Sequence, residues 1–336
     1  MPDLLLTISH SFLTIKCFWR SLEFVSFTKQ YHNNIITHKI TLSTMDCRTY
    51  LQAGWTLYGK NRPYPNPNNG DRTKEEYVTF RSHFGTEPIM CVELWTQLDP
   101  ENDDDFPAGV KPEHLLWALY HMRVYNVQRV EDKFLKSDRK TVRKWIWIFI
   151  RKMSTLTLDL ILWSNRLEGG PSPIPNHTAA LDCTQCPLQE QTPFSKDWSG
   201  HKFGKKAAVN YEMCTSITTG WIVWVSGPYP AGAWPDRNIF DRDLIYELEI
   251  GEKLLADSGY TGRDTYITIS NLFEVDPIKK KAKAREEQTN GRFKAFRILT
   301  TKFREDVGLH HHVFHAIAAI VQLEIQTGVA LTYSVV

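Results

Sequence analysis

The sequence predicts an α/β protein, a mixed sheet with helices, preceded by an all-helical domain of helix-turn-helix type. Three observations carry this. Apolar residues recur at helical spacing between 112 and 153, a Gly/Pro-rich stretch follows at 169–175, and beyond it the pattern changes to strand-like runs. The 336 residues leave room for two domains and a substantial core.

Residues 1–44 are mildly apolar but interrupted by His10, Lys16, Arg20, Glu23 and Lys29. They lack the basic start, clean apolar core and small-residue cleavage site of a signal peptide, and are read as an unassigned extension with Met45 as an alternative start. Residues 45–111 form an N-terminal segment with linkers. Pro63, Pro65, Pro67 and Gly70 make 62–71 a loop. Short helices are expected around 77–84 and 89–98, and the acidic run 99–105 reads as a solvated loop ending at Pro107.

Residues 112–166 form the helical domain. Pro112 and Glu113 open a helix with Leu115, Leu116, Leu119 and Met122 as its apolar stripe. A second, 127–135, puts Val127, Val130 and Phe134 on one face. Ser137 is expected to cap a third, 138–153, striped by Val142, Trp145, Ile146 and Phe149. Arg139, Lys140, Arg143 and Lys144 in its first turns are candidate DNA contacts, since a short helix, a tight turn and a capped basic helix are helix-turn-helix wording. A plain three-helix bundle with a wet charged face produces the same pattern.

Residues 167–178 are a linker and 179–330 the second domain. A strand is expected at 179–182, ending in Asp182, with a polar loop from there to Gly204. Two strands, 207–217 and 221–225, turn at Thr218-Thr219-Gly220. A Pro/Gly loop at 227–232, a helix at 238–248, a strand at 253–256, a basic helix and a final helix at 313–327 complete the domain. Strand-strand-strand-helix-strand-helix is the ribonuclease-H order.

The formal net charge of +2 is too small to argue for nucleic acid by itself. Its distribution says more: ten basic residues against two acids lie between Lys279 and Arg304. A solvated helix face accounts for such a run, and so does a phosphate-tracking stripe. The six cysteines form no framework, and Cys183 with Cys186 lacks the second pair that a zinc site needs. Adjacent residues diverge on a helix, so His310, His311 and His312 are read as helix-start or loop histidines rather than a chelate. Trp198, Trp221, Trp224 and Trp234 are read as core or loop-cluster residues, with Trp234 placed beside Asp236 where a flipped nucleotide would come. No stretch is long and apolar enough to cross a membrane.

Asp182, Asp257 and Glu287 are the candidate catalytic residues. Two carboxylates at strand ends and one on a covering helix are the donor set that holds paired Mg²⁺ for attack on a phosphodiester. The wording around them carries a resemblance. Leu181-Asp182-Cys183-Thr184-Gln185-Cys186-Pro187, the stretch from Gly227-Pro228 to Pro235-Asp236, Leu255-Ala256-Asp257-Ser258-Gly259-Tyr260 and Arg285-x-Glu287-x-x-Asn290-x-x-x-Lys294 occur in order. They resemble the blocks of DDE-superfamily endonucleases, the transposases of the PIF/Harbinger-like, insertion-sequence type. Cys183 and Ala256 depart from that pattern without removing a ligand.

The resemblance, over roughly 175–330, implies a ribonuclease-H-like domain that cuts and joins DNA with two Mg²⁺ (or Mn²⁺) ions. It makes Asp182, Asp257 and Glu287 the triad, with Asp236 as a further acid that touches the metal, orients its ligands or caps the next helix, and Glu286 as the competing choice for the last ligand. The spacing favours Glu287 because it sets Glu287, Asn290 and Lys294 on one face. Lys202, Lys205 and Lys206 resemble the family's basic block, and with Arg285 and Lys294 they are expected to meet phosphate. Double-stranded DNA, a separate DNA-binding partner protein, a homodimer and a nuclear location follow as expectations. The alternative is a domesticated, catalytically silent protein that binds DNA or a partner.

Overall fold

The computed structural model describes residues 46–59, 70–190, 193–270 and 275–328; the readings of residues 1–44 and of most of the 62–71 loop fall outside them. Residues 47–336 form one unit. Its helical half comprises α1 (Cys47–Leu57), α2 (Gly70–Phe84), α3 (Pro88–Leu98), α4 (Pro112–Val124), α5 (Gln128–Leu135), α6 (Arg139–Thr155) and the short α7 (Thr157–Leu160). The sheet half comprises β1 (His177–Pro187), β2 (Ser199–Gly200), β3 (Lys206–Ser216), β4 (Ile222–Pro230), α8 (Asp236–Arg242), β5 (Lys253–Ala256), β6 (Ile267–Ile269), α9 (Pro277–Lys294), α10 (Arg297–Thr300) and α11 (His310–Gln326).

The expected mixed sheet is present. Its strands run in the order β2-β3-β1-β5-β6, with β4 also on β3. The β1–β5 and β5–β6 pairs are parallel, while β3 is antiparallel to both β1 and β4. β4 and β5 run parallel with β3 and β1 between them, and α8 lies in the crossover that joins them. Helices cover both faces. Ile239, Phe240 and Leu244 pack with Leu181, Cys183 and Cys214 on one side, and Ala282 of α9 meets Ala180 and Leu255 on the other. On that second side Tyr211 stacks on Phe314 of α11, ring centroids 3.7 Å apart. Trp221, Trp224 and Trp234 pack against the α8-side core, as the core reading expected.

Four sequence expectations change. β1 does not stop at Asp182 but continues to Pro187, and β4 runs through the Pro/Gly stretch to Pro230. The cap of α6 is Asp138, whose Oδ1 accepts from the Lys140 and Thr141 amides at 3.0 and 3.1 Å, not Ser137. On α5 Val127 and Val130 are exposed; Glu131 and Leu135 turn inward, and of the expected face only Phe134 packs, stacked on Tyr120 with ring centroids 4.2 Å apart. His310 does open a helix; its Nδ1 lies 2.7 Å from the Tyr211 hydroxyl, which ties α11 to the sheet.

Candidate active site

Asp182 stands mid-strand because the ladder continues past it: Thr184, Gln185 and Cys186 pair with Tyr211, Asn210 and Val209. The polar letters that suggested a loop are satisfied within the fold. The Gln185 amide lies 2.9 Å from His201 Nδ1, and its oxygen accepts from the Lys202 amide at 3.2 Å. Successive side chains on a strand alternate faces. Asp182 therefore points to α9, while Cys183 points to the α8 side, where the Tyr260 hydroxyl donates to its Sγ at 3.2 Å. Cys183 thus fills the core behind Asp182.

Asp257 follows the last residue of β5 and caps a single turn, accepting from the Gly259 amide at 2.8 Å. Asp236 is the first residue of α8. The two converge at Gly259, where an added Cβ would meet Asp236 Oδ2 at 2.9 Å and Asp257 Oδ1 at 3.0 Å. Glycine stands there because any side chain would push the carboxylates apart. Burial raises the Asp236 pKa above the usual carboxylate value; Lys202 opposes the rise, and the Asp257 and Asp182 charges add to it.

From above, α9 brings an acid, an amide and a cation. It starts at Pro277, with Asp276 as N-cap accepting from the Ile278 amide at 2.9 Å. Asn290 Nδ2 donates to Asp182 Oδ2 at 2.8 Å and to Glu286 Oε1 at 2.6 Å. The Lys283 ammonium pairs with Glu286 Oε2, and both side chains are buried. Burial, then the charge of Asp182, pushes the Glu286 carboxyl up to about 8 against the pull of Lys283. For Lys283, burial works against the charge, but Glu286 and Asp182 outweigh it and hold the ammonium above its ordinary value.

The acid that meets Asp182 is therefore Glu286, whereas Glu287, the sequence choice, is exposed on α9. The reason is geometric. Asn290 lies four residues beyond Glu286 and three beyond Glu287, and both separations share a helix face. The inward face of α9 is set by Lys283, Glu286, Asn290 and Phe293, so Lys294 turns outward with Glu287.

The basic residues divide into two groups. The exposed Lys202 reaches the Cys183 carbonyl with Nζ at 3.3 Å, next to the acids. Lys205, Lys206 and Lys294 are exposed. Arg285 instead donates to the Ile217 and Thr218 carbonyls at 2.7 and 3.2 Å and braces the β3–β4 turn. Arg139 pairs with Asp132 at 3.1 Å and Arg143 with Glu305, while Lys140 and Lys144 face outward.

Sequence reading missed Lys283 and Glu212. Glu212 is buried opposite Cys183 on β3, accepts from Trp224 Nε1 at 3.2 Å and is pushed up to about 8 by burial and then by Asp243 and Asp236. One acid amid the apolar run 206–216 was its only signal.

Among the described residues, no group of three or more His, Cys, Asp or Glu side chains is arranged to hold a metal as it stands. The donors nonetheless suit a hard divalent ion. Asp182, Asp236 and Asp257 offer only oxygen, and Asn290 Oδ1 is a buried acceptor with no partner beside two carboxylates.

Residues 181–323 match the family model described as DDE superfamily endonuclease. No curated protein and no solved structure matches the chain. The DDE match takes in the strand of Asp182, the turn of Asp257 and Gly259, Asp236, and the whole inward face of α9.

Proposed function

We propose that this chain is a metal-dependent DNA endonuclease or transposase, with a ribonuclease-H-like domain of PIF/Harbinger-like type. One observation carries the reading: within the DDE match, Asn290 ties Asp182 to Glu286, and Asp236, which meets Asp257 at Gly259, feels the charges of both Asp257 and Asp182. The sheet order β4-β3-β1-β5-β6, with only β3 reversed among its central strands, supports the fold assignment.

Asp182, Asp236, Asp257 and Glu286 would hold two Mg²⁺ or Mn²⁺ ions, which when bound would activate the attacking oxygen and stabilise the leaving 3′ oxygen of an in-line displacement. The chain's part is to hold the carboxylates against their mutual repulsion. The fixed strand does this for Asp182, and the shared turn at Gly259 does it for Asp236 and Asp257. Lys202, tethered by its contact with the Cys183 carbonyl, supplies a mobile positive charge for the scissile phosphate. Lys205, Lys206 and Lys294, with Lys140 and Lys144 in the helical half, extend a phosphate-binding surface for double-stranded DNA. Action as a nuclear homodimer with a separate DNA-binding partner belongs to the same reading.

The test is nicking of supercoiled plasmid with Mg²⁺, Mn²⁺ or EDTA. Asp182→Asn and Asp257→Asn are expected to lower the rate by about a thousandfold or more. Duplex binding, measured by anisotropy, should stay within about threefold. Nicking that survives in Asp182→Asn, or that ignores EDTA, overturns the assignment.

A further inference from the structure

The two sides of Asp182 are unlike. On one, the charges of Asp182 and Asp257 both act on Asp236, which meets Asp257 at Gly259, and the cation opposing them is the exposed Lys202. Toward α9 the space is already taken. Asn290 Nδ2 holds Asp182 Oδ2 and Glu286 Oε1 together, and the buried Lys283 ammonium holds Glu286 Oε2. The oxygens that a second ion needs are thus occupied by donors.

We propose that Lys283 is a built-in cation closing the α9 side of Asp182, so that the DNA-free protein takes one divalent ion and the DNA-bound protein two. This rests on the metal-dependent reading above. A divalent ion between Asp182 and Glu286 meets the ammonium as a like charge at low dielectric, so it enters only when Lys283 leaves. Lys283 has the means to leave, since it is a point charge on a flexible four-carbon stem. Lys280 and Lys281 are exposed on the turns before it and draw a phosphate backbone toward this helix.

Asn290 completes the device. Its Nδ2 donates to both carboxylates, while its Oδ1 is buried and without a partner. A half-turn of the amide replaces the donor by the acceptor and gives an arriving ion a third oxygen. The same side chain then serves the closed state through nitrogen and the loaded state through oxygen.

The experiment counts Mn²⁺ on the full chain by electron paramagnetic resonance, with circular dichroism as the check of folding. DNA-free wild type is expected to bind one ion, Lys283→Arg one and Lys283→Met two. Two ions on the DNA-free wild type, or one on a folded Lys283→Met, overturns the proposal. Should Lys283→Met fail to fold, the wild type decides alone. A short duplex is expected to bring out the spectrum of an exchange-coupled Mn²⁺ pair, which ions scattered on DNA do not give, and its absence overturns the gate. No Mn²⁺ on wild type with or without DNA defeats the metal reading itself, and the gate with it.

Discussion

Two buried acid–cation pairs flank β5, and they are in opposite condition. Before the strand, Arg166 grips Glu252 through Nε at 2.6 Å and Nη2 at 3.1 Å. Thr178 Oγ1 and the Glu249 amide complete the carboxylate at 2.5 and 2.8 Å. Burial opposes the Glu252 charge, but these partners outweigh it and hold the pKa below the usual value. Beyond the strand's other end, Glu286 shares a single amide with Asp182, and its pKa is pushed up to about 8. The ingredients match; the satisfaction does not. A carboxylate with every lone pair met is a brace, whereas one that shares its amide and its cation's field with a second acid is where a ligand is expected.

The comparison breaks first on activity. Glu286→Gln is expected to lower metal-dependent nicking by about a thousandfold, or about 4 kcal/mol, while Glu287→Gln stays within a few-fold of wild type. The reverse result in the plasmid assay would return the role to Glu287. Next comes stability. Glu252→Gln leaves a buried guanidinium poorly paired, and should cost about 3 kcal/mol in urea unfolding. Its folded fraction should keep its nicking rate, and a lost rate with unchanged stability would cancel the distinction drawn here.

The smallest effect is on pH, where the two pairs have opposite signs. Between the ordinary value of 4.5 and about 8, folded Glu286 keeps a proton that the unfolded chain has released. Its contribution is therefore complete below 4.5 and declines as pH rises toward 8. Glu252, with a lowered pKa, contributes above 4.5 and loses that stability as acid is added through its folded value. Melting curves of Glu286→Gln across this range should be flatter than those of wild type, and an unchanged decline would remove Glu286 as its source.

Much of the fold was legible because periodicity reports burial. The strand 253–256 and the final helix came close to their observed bounds, since their apolar residues repeat at one spacing and face one core. The end of β1 was misread because Thr184, Gln185 and Cys186 look like a turn when their neighbours are unknown. Gln185 is a strand residue because His201 and Lys202 come back to meet it. Asp182 and Asp257 were legible as acids beside apolar strands. Which of Glu286 and Glu287 turns inward was not, because a one-residue rotation of α9 is settled by what packs under Ala282 and Phe293. Lys283 was hidden in a run of lysines that looks uniform until the helix is given a direction.

The continuation of β1 beyond Asp182 has a mechanical consequence. Asp182 pairs with Met213 inside an unbroken ladder, whereas Asp257 rides on a turn and Glu286 on a helix held to the sheet by side chains. Thermal motion is therefore expected to displace those two acids more than the first. The backbone amides of 181–183 should exchange with deuterium far more slowly than those of 257–259, so the centre has a fixed origin and two adjustable coordinates.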